Sequence, residues 1–269
     1  MKTNIGVIGC GWLGFPLAVS LLDEGYVVRG TTTNSEKLED LAEAGILPFQ
    51  IALTEEGIQG NIEDFLESLN VLVINVPPKL RRQPHANYVA KMKYLHTAMQ
   101  KAKVPHAIVV SSTSVYGNHP DDITEETTPT PATESGRQLL ETEKLFLKDE
   151  SSANTIVRFG GLIGPKRHPV TMLSQKKGLK NGTAPVNLIH LEDCIAMLKT
   201  IISENYWAEV FNGVFPYHPT KQEYYQNEAE KRGIQAPEYL ASAEETPKGR
   251  VLSKNYLLKG HTYLTPIDS

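Results

Sequence analysis

An α/β fold with a doubly wound parallel sheet and a small C-terminal α/β cap is predicted for this chain of 269 residues. Three observations predict it. Short apolar runs alternate with helically patterned segments through about the first 115 residues, the signature of βαβ units. A glycine-rich turn sits between the first run and the first helical segment. Beyond Val214 the alternation stops and the pattern becomes short and aromatic, with Tyr217, Tyr224, Tyr225, Tyr239, Tyr256 and Tyr263.

The elements follow in order. Ile5 to Ile8 reads as a buried strand, and Leu13, Leu17 and Leu21 mark one face of a helix ending near Gly25. Tyr26 to Thr31 is a second strand. Asn34 or Ser35 caps a helix to Ala44, Gly45 stops it, and Ile46 to Leu53 forms a third strand. Val71 to Val76 is a fourth, broken by Pro77-Pro78, after which Tyr88, Met92, Leu95 and Met99 share a helix face. Ala107 to Ser111 is the next strand. Residues 117–133 are rich in Pro, Thr, Asp and Glu and read as a long surface loop, the kind that borders a substrate site. A helix over 134–148, a strand over 155–159, a break at 160–165 and a helix through Ile195, Leu198 and Ile202 complete the pattern. The expected division is a core of 1–165 rejoined by 186–215, with 166–185 and 216–269 as a substrate cap.

Composition narrows the partners. The chain is 40% hydrophobic and 22% charged, and 27 Lys+Arg against 31 Asp+Glu give a net charge of −4. No like-charge run suggests nucleic acid or an anionic membrane surface. Cys10 and Cys194 have no CxxC or Cys/His neighbourhood, and the histidines, including His85, His119, His168 and His218, lack ligand spacing, so no metal is expected. Glycines interrupt the first apolar stretch, unlike a signal peptide, and no run reaches the roughly 18 apolar residues a membrane span needs. A cytoplasmic protein, monomer or homodimer, acting on a small molecule is the expectation.

Gly9-Cys10-Gly11-Trp12-Leu13-Gly14 is GxGxxG between a strand and a helix. The first glycine permits the tight turn, the second lets the backbone approach a pyrophosphate, and the third lets helix and strand pack closely. The helix N-terminus adds N–H groups for the phosphates. A dinucleotide in a Rossmann core is the implied ligand, held by Gly9, Gly11, Trp12, Leu13 and Gly14 and, at the fourth strand's end, by Val76 and Pro77. About 20 residues on, where an NAD site presents an acid, the chain has Thr31, Thr32, Thr33 and Asn34, followed by Lys37, with Arg29 nearby. Donors and positive charge suit a 2′-phosphate, so NADP is expected. Glu36 keeps NAD as the alternative, although an acid also fits the first turn of a helix.

Val109 to Gly117 (VVSSTSVYG) resembles the extended short-chain dehydrogenase/reductase family, the NAD(P)-dependent epimerase/dehydratase group. Arg158 followed by Gly160-Gly161-Leu-Ile-Gly164-Pro165, and Asn187 to Asp193, are similar to two later landmarks of that family. The resemblance implies that Ser112 orients the substrate. It also implies a YxxxK proton relay on the next helix, but Ser135 and Leu139 stand at those positions. Tyr217 and Lys221 match YxxxK literally, yet Pro219 between them argues against one shared helical turn. The short GxGxxG and the missing relay are similar to the atypical members of the family. Thr113-Ser114 also lacks the Asp-Glu pair of sugar dehydratases.

Tyr116 is the nearest replacement acid, with a packing tyrosine as its other reading. Tyr88 and Lys79 are further candidates to face the nicotinamide end. His190 reads as structural, and Arg167-His168 as either cleft-lining or a solvated pair. The resemblance implies an NADP-binding oxidoreductase or epimerase-like enzyme for a small polar, sugar-related substrate. The missing relay leaves open a non-catalytic NAD(P)-binding sensor or scaffold.

Overall fold

A computed structural model of the protein describes residues 3–80, 83–240 and 248–268. It divides into two compact units. The first comprises Met1–Ser112, Thr133–Val157 and Ile195–Val210, and the second Thr113–Ala132, Arg158–Cys194 and Phe211–Ser269.

In the first unit, β1 (Asn4–Ile8), α1 (Gly14–Asp23), β2 (Val27–Thr32), α2 (Lys37–Glu43) and β3 (Leu47–Gln50) run as alternating strands and helices. A short hairpin, β4 (Ala52–Leu53) with β5 (Ile58–Gln59), leads into α3 (Ile62–Leu66). Then come β6 (Val71–Ile74), α4 (Tyr88–Ala102), β7 (His106–Ser112) and, after the excursion into the second unit, α5 (Glu134–Leu147). Apolar periodicity explains these elements: Leu17 and Leu21 on α1, Met92, Leu95 and Met99 on α4, and every residue of β6 are buried.

β8 (Ala153–Phe159) follows, then β9 (Gly161–Ile163), α6 (Pro169–Leu173), β10 (Leu188–His190), α7 (Leu191–Ser203), β11 (Val210–Gly213), α8 (Lys221–Lys231) and α9 (Lys254–Leu258). The main sheet has seven strands in the order β11-β8-β7-β6-β1-β2-β3. Pairings from β3 through β2, β1 and β6 to β7 are parallel. The chain winds outward from β1 to β3, then resumes on the other side of β1 at β6. That reversal makes the carboxyl end of β1 the topological switch point, the place where such sheets bind ligands.

Several expectations need correction. Ile46 to Leu53 is not one strand: Ile51 donates its N–H to Thr32 O at 3.0 Å, and the chain then turns back through a Thr54–Gly57 turn into the hairpin. Asn34 does not cap α2, which starts at Lys37; its Oδ1 instead accepts from Glu36 N at 3.1 Å in a local turn. The 160–165 stretch is no mere break, because β9 lies within it and pairs in parallel with β10. α3 and β11, each short and without a distinctive period, are additions. Lys221 begins α8 and Tyr217 lies outside it, as Pro219 foretold.

The loop after α5 carries a test of stability. Asp149 accepts from Ser151 N and Oγ, from Ser152 Oγ and from Gln100 Nε2. Burial pushes its carboxyl up, but the donors together outweigh burial and bring it from 3.8 down to about 2. A depressed carboxyl adds stability that is full above its unfolded value and is lost as pH falls through the folded one. Asp149→Asn is therefore expected to cost about 2 kcal/mol at pH 7, with the gap to wild type closing between pH 4 and pH 2 in thermal melts. A gap independent of pH would contradict this.

The second unit has its own core of Ile163, Val170, Val186, Leu188, Tyr224, Tyr225, Ala229 and Ile267. Tyr224 Oη donates to Ile267 O at 2.6 Å, and His168 Nε2 lies 2.9 Å from the same phenol. His168 is thus neither cleft-lining nor solvated; it is 9% exposed, and its Nδ1 accepts from Val170 N at the start of α6. His190 Nδ1 accepts from Glu192 N, the structural role expected of it. No helix among the described residues is long and apolar enough to cross a membrane.

Candidate nucleotide and substrate site

The glycine loop is held from both sides. Gly9 N donates to Thr31 Oγ1 at 3.0 Å on β2, and Gly9 O accepts from Asn75 Nδ2 at 3.2 Å just after β6. Cys10 N donates to Thr31 O, and Gly11 N folds back onto Gly9 O at 2.8 Å. Gly9 has φ +99°, in the region that favours glycine. A Cβ on Gly14 would stand 2.2 Å from Gly9 O, so helix and turn touch there through backbone alone.

Gly11 differs. A Cβ on it would meet nothing within 4 Å, its φ is not left-handed, and it is exposed. No atom among the described residues requires glycine at this position. The start of α1 agrees with this: it has no side-chain cap and no acid in its first turn. Anions favour such a terminus.

Beside the loop lies a cavity of about 830 Å³ lined by Trp12, Phe15 and Pro16 on one wall and Lys37, Asp40 and Leu41 on the other. Cys10 also reaches it. Burial pushes the Cys10 thiol up to about 12, against a smaller opposing effect of the Thr31 backbone, so it is no nucleophile at neutral pH. Of the residues expected at a 2′-phosphate, Thr33 and Lys37 are exposed, and Thr32 Oγ1 accepts from Asn34 N at 3.2 Å. Asn34 Nδ2 faces Glu36 Oε2 at 3.4 Å. Arg29 is elsewhere: its Nη1 donates to the carbonyls of Asp64, Phe65 and Glu67, which a helix end leaves without partners.

Val76 and Pro77 follow β6, and Val76 O accepts from the Tyr88 hydroxyl at 2.9 Å. Tyr88 is 2% exposed with that hydroxyl engaged, so it does not face a ligand as expected. Lys79 is exposed. Asn75 was not among the expected residues, and Thr31, expected at the 2′-phosphate, instead fixes Gly9 through its hydroxyl. The available signal was Asn75 itself, a polar residue inside an apolar run.

Ser112 ends β7 and is half-buried. Its neighbour Ser111 donates to Glu143 Oε1 at 2.5 Å, a buried contact that ties the strand end to α5. On α5, Ser135 is half-buried and Leu139 is buried. In the second unit Tyr116 ends a 3-10 turn (Thr113–Tyr116) and is 1% exposed. Its hydroxyl donates to Asn212 Oδ1 at 2.9 Å and accepts from Arg158 Nη1 at 2.8 Å. Burial raises this phenol above its usual value, opposed by Arg158.

A parallel sheet with its switch point at β1, a glycine loop at that point and an uncapped helix start have the architecture of a dinucleotide-binding protein. The chain belongs to the NAD(P)H-binding family, which matches residues 9–190, and its fold is that of the short-chain dehydrogenase/reductase and epimerase proteins. It is 30% identical over 250 residues to the protein YeeZ of Escherichia coli K12, covering 93% of this chain and 90% of that one. UDP-glucose 4-epimerase of Thermotoga maritima, solved with UDP-glucose, superposes with a TM-score of 0.80 at 18% identity over 99% of this chain and 95% of that one. For UDP-glucuronic acid 4-epimerase of Bacillus cereus in complex with NAD the TM-score is 0.76 at 18% identity, covering 98% and 94%. MoeE5 in complex with UDP-glucuronic acid and NAD gives 0.77 at 20%, covering 98% and 95%. At these identities the likeness is one of fold.

Proposed function

We propose that this protein is an NADP-dependent oxidoreductase or epimerase-like enzyme acting on a small, polar, sugar-related substrate. The observation that carries the nucleotide half is Gly11, a glycine that no atom among the described residues requires. Thr33 and Lys37, exposed beside β2's end, support the 2′-phosphate. Bound nicotinamide supplies the hydride donor or acceptor. Ser112 orients the substrate hydroxyl or carbonyl by hydrogen bonding, and Ser111, anchored on Glu143, holds that strand end in place. Tyr116 takes a supporting role at the start of the 117–133 loop, since Asn212 and Arg158 engage its hydroxyl. Residues 166–185 and 216–269 supply substrate selection. The nucleotide sugars bound by the MoeE5 and Thermotoga proteins support the substrate class.

One observation favours a second reading, a non-catalytic nucleotide sensor: buried Leu139 stands where the resemblance calls for a lysine. A leucine cannot shift a neighbouring pKa by charge. Turnover separates the two. Incubated with NADP(H) and a panel of UDP-sugars, the enzyme is expected to change nicotinamide absorbance or isomerise a sugar. Ser112→Ala should lower kcat/KM about 10- to 100-fold with unchanged NADPH affinity. Tight nucleotide binding, no product from any sugar and no effect of Ser112→Ala would favour the sensor.

A further inference from the structure

We propose that Tyr88 and Gln138 form a clamp that positions the Val76–Pro77 segment against the nicotinamide half of the nucleotide. The proposal rests on the nucleotide reading above and extends it to α5, the helix that lacks the tyrosine-lysine pair.

The segment after β6 needs outside support. Asn75 N donates to Ile8 O at 3.0 Å, but Pro77 and Pro78 have no N–H, so beyond Val76 the prolines add no backbone donor to hold the segment. The support comes from the phenol of Tyr88, which donates to Val76 O at 2.9 Å. Burial raises the Tyr88 phenol, so it stays protonated and remains a donor at any working pH.

Tyr88 is itself fixed from α5. It is the first residue of α4, where an N–H has no partner within the helix. That N–H donates to Gln138 Oε1 at 2.7 Å. Gln138 Nε2 donates to Ala86 O at 3.2 Å and to Glu134 Oε1 at 2.9 Å, so both ends of its amide are committed and its orientation is set. A continuous path runs from α5 through Gln138 and Tyr88 to the Val76 carbonyl.

Topology says which half of the nucleotide this path serves. β2 and β6 flank β1 on opposite sides. In such sheets the adenosine ribose is read at the end of β2, so the other half of the dinucleotide extends toward β6. Asn75, one residue before Val76, also donates to Gly9 O, which couples the clamped segment to the glycine loop. Tyr88 and Gln138 are therefore positioning residues, acting on the nucleotide through Val76.

Two probes test this on the full chain: NADPH, and 2′-phospho-ADP-ribose, which lacks the nicotinamide. Tyr88→Phe is expected to weaken NADPH about fivefold, the scale of one neutral hydrogen bond, and to leave 2′-phospho-ADP-ribose unchanged. Gln138→Ala, a surface-reaching substitution that spares the buried ring, should act in the same direction and covers the case in which Tyr88→Phe does not fold. Unchanged NADPH affinity in both variants overturns the clamp, and so does an equal loss for both probes, which a merely structural role would give. Wild-type protein that binds neither probe overturns the nucleotide reading instead, a result visible before any variant is made.

Discussion

Gly11→Val is expected to weaken nucleotide binding on the order of 100-fold without weakening the fold. The position is exposed, its backbone is not left-handed, and an added Cβ meets no protein atom within 4 Å. Its effect on stability should therefore stay within about 0.5 kcal/mol, as for an ordinary surface change. The side chain would instead fill the space through which a pyrophosphate approaches the loop. Losing two charge-assisted hydrogen bonds there should weaken NADPH on the order of 100-fold. Fluorescence titration read beside a thermal melt checks both halves. A variant that binds NADPH like wild type would remove the reason given for this glycine.

Gly14→Ala should do the reverse, striking the fold first. Its Cβ would stand 2.2 Å from Gly9 O and 3.0 Å from Gly9 C, and neither is the end of a flexible side chain that can swing away. Either α1 moves off the sheet or the turn opens, and the turn is fixed by Thr31 on one side and Asn75 on the other. An overpacked backbone contact of this kind costs about 3 kcal/mol, which lowers Tm by roughly 6–12 °C in a protein of this size. Melting within a degree of wild type would show that the helix-turn contact yields more easily than its geometry implies. The contrast between Gly11→Val and Gly14→Ala, three residues apart in one loop, would separate a glycine kept for a ligand from one kept for packing.

That contrast marks how far the sequence could be read. The GxGxxG spacing and the strand-helix alternation predicted the core through α5, because buried strands and amphipathic helices leave periodic traces. The hairpin β4–β5 and the short β9–β10 pair left none, since strands of two or three residues complete no period. Arg29 was misassigned for a related reason. Sequence places it near the end of β2, but only the fold brings the carbonyls of α3 within its reach. Tyr88 failed in the same way, being near Val76 in sequence yet turned inward onto its carbonyl. Ser135 and Leu139 were legible as replacements because a motif's absence can be read at fixed spacing. The contacts that α5 does make, Gln138 to the Tyr88 N–H and Glu143 to Ser111, depend on the neighbouring elements and could not be read.

Calorimetric titration of the wild-type protein with NADPH and NADH, side by side, tests the central claim that the loop at the end of β1 is a working dinucleotide site. One molecule per chain is the predicted result, with NADPH the tighter. No binding of either nucleotide would contradict the account at its root, and tighter binding of NADH would reverse its assignment of Thr33 and Lys37 to a 2′-phosphate.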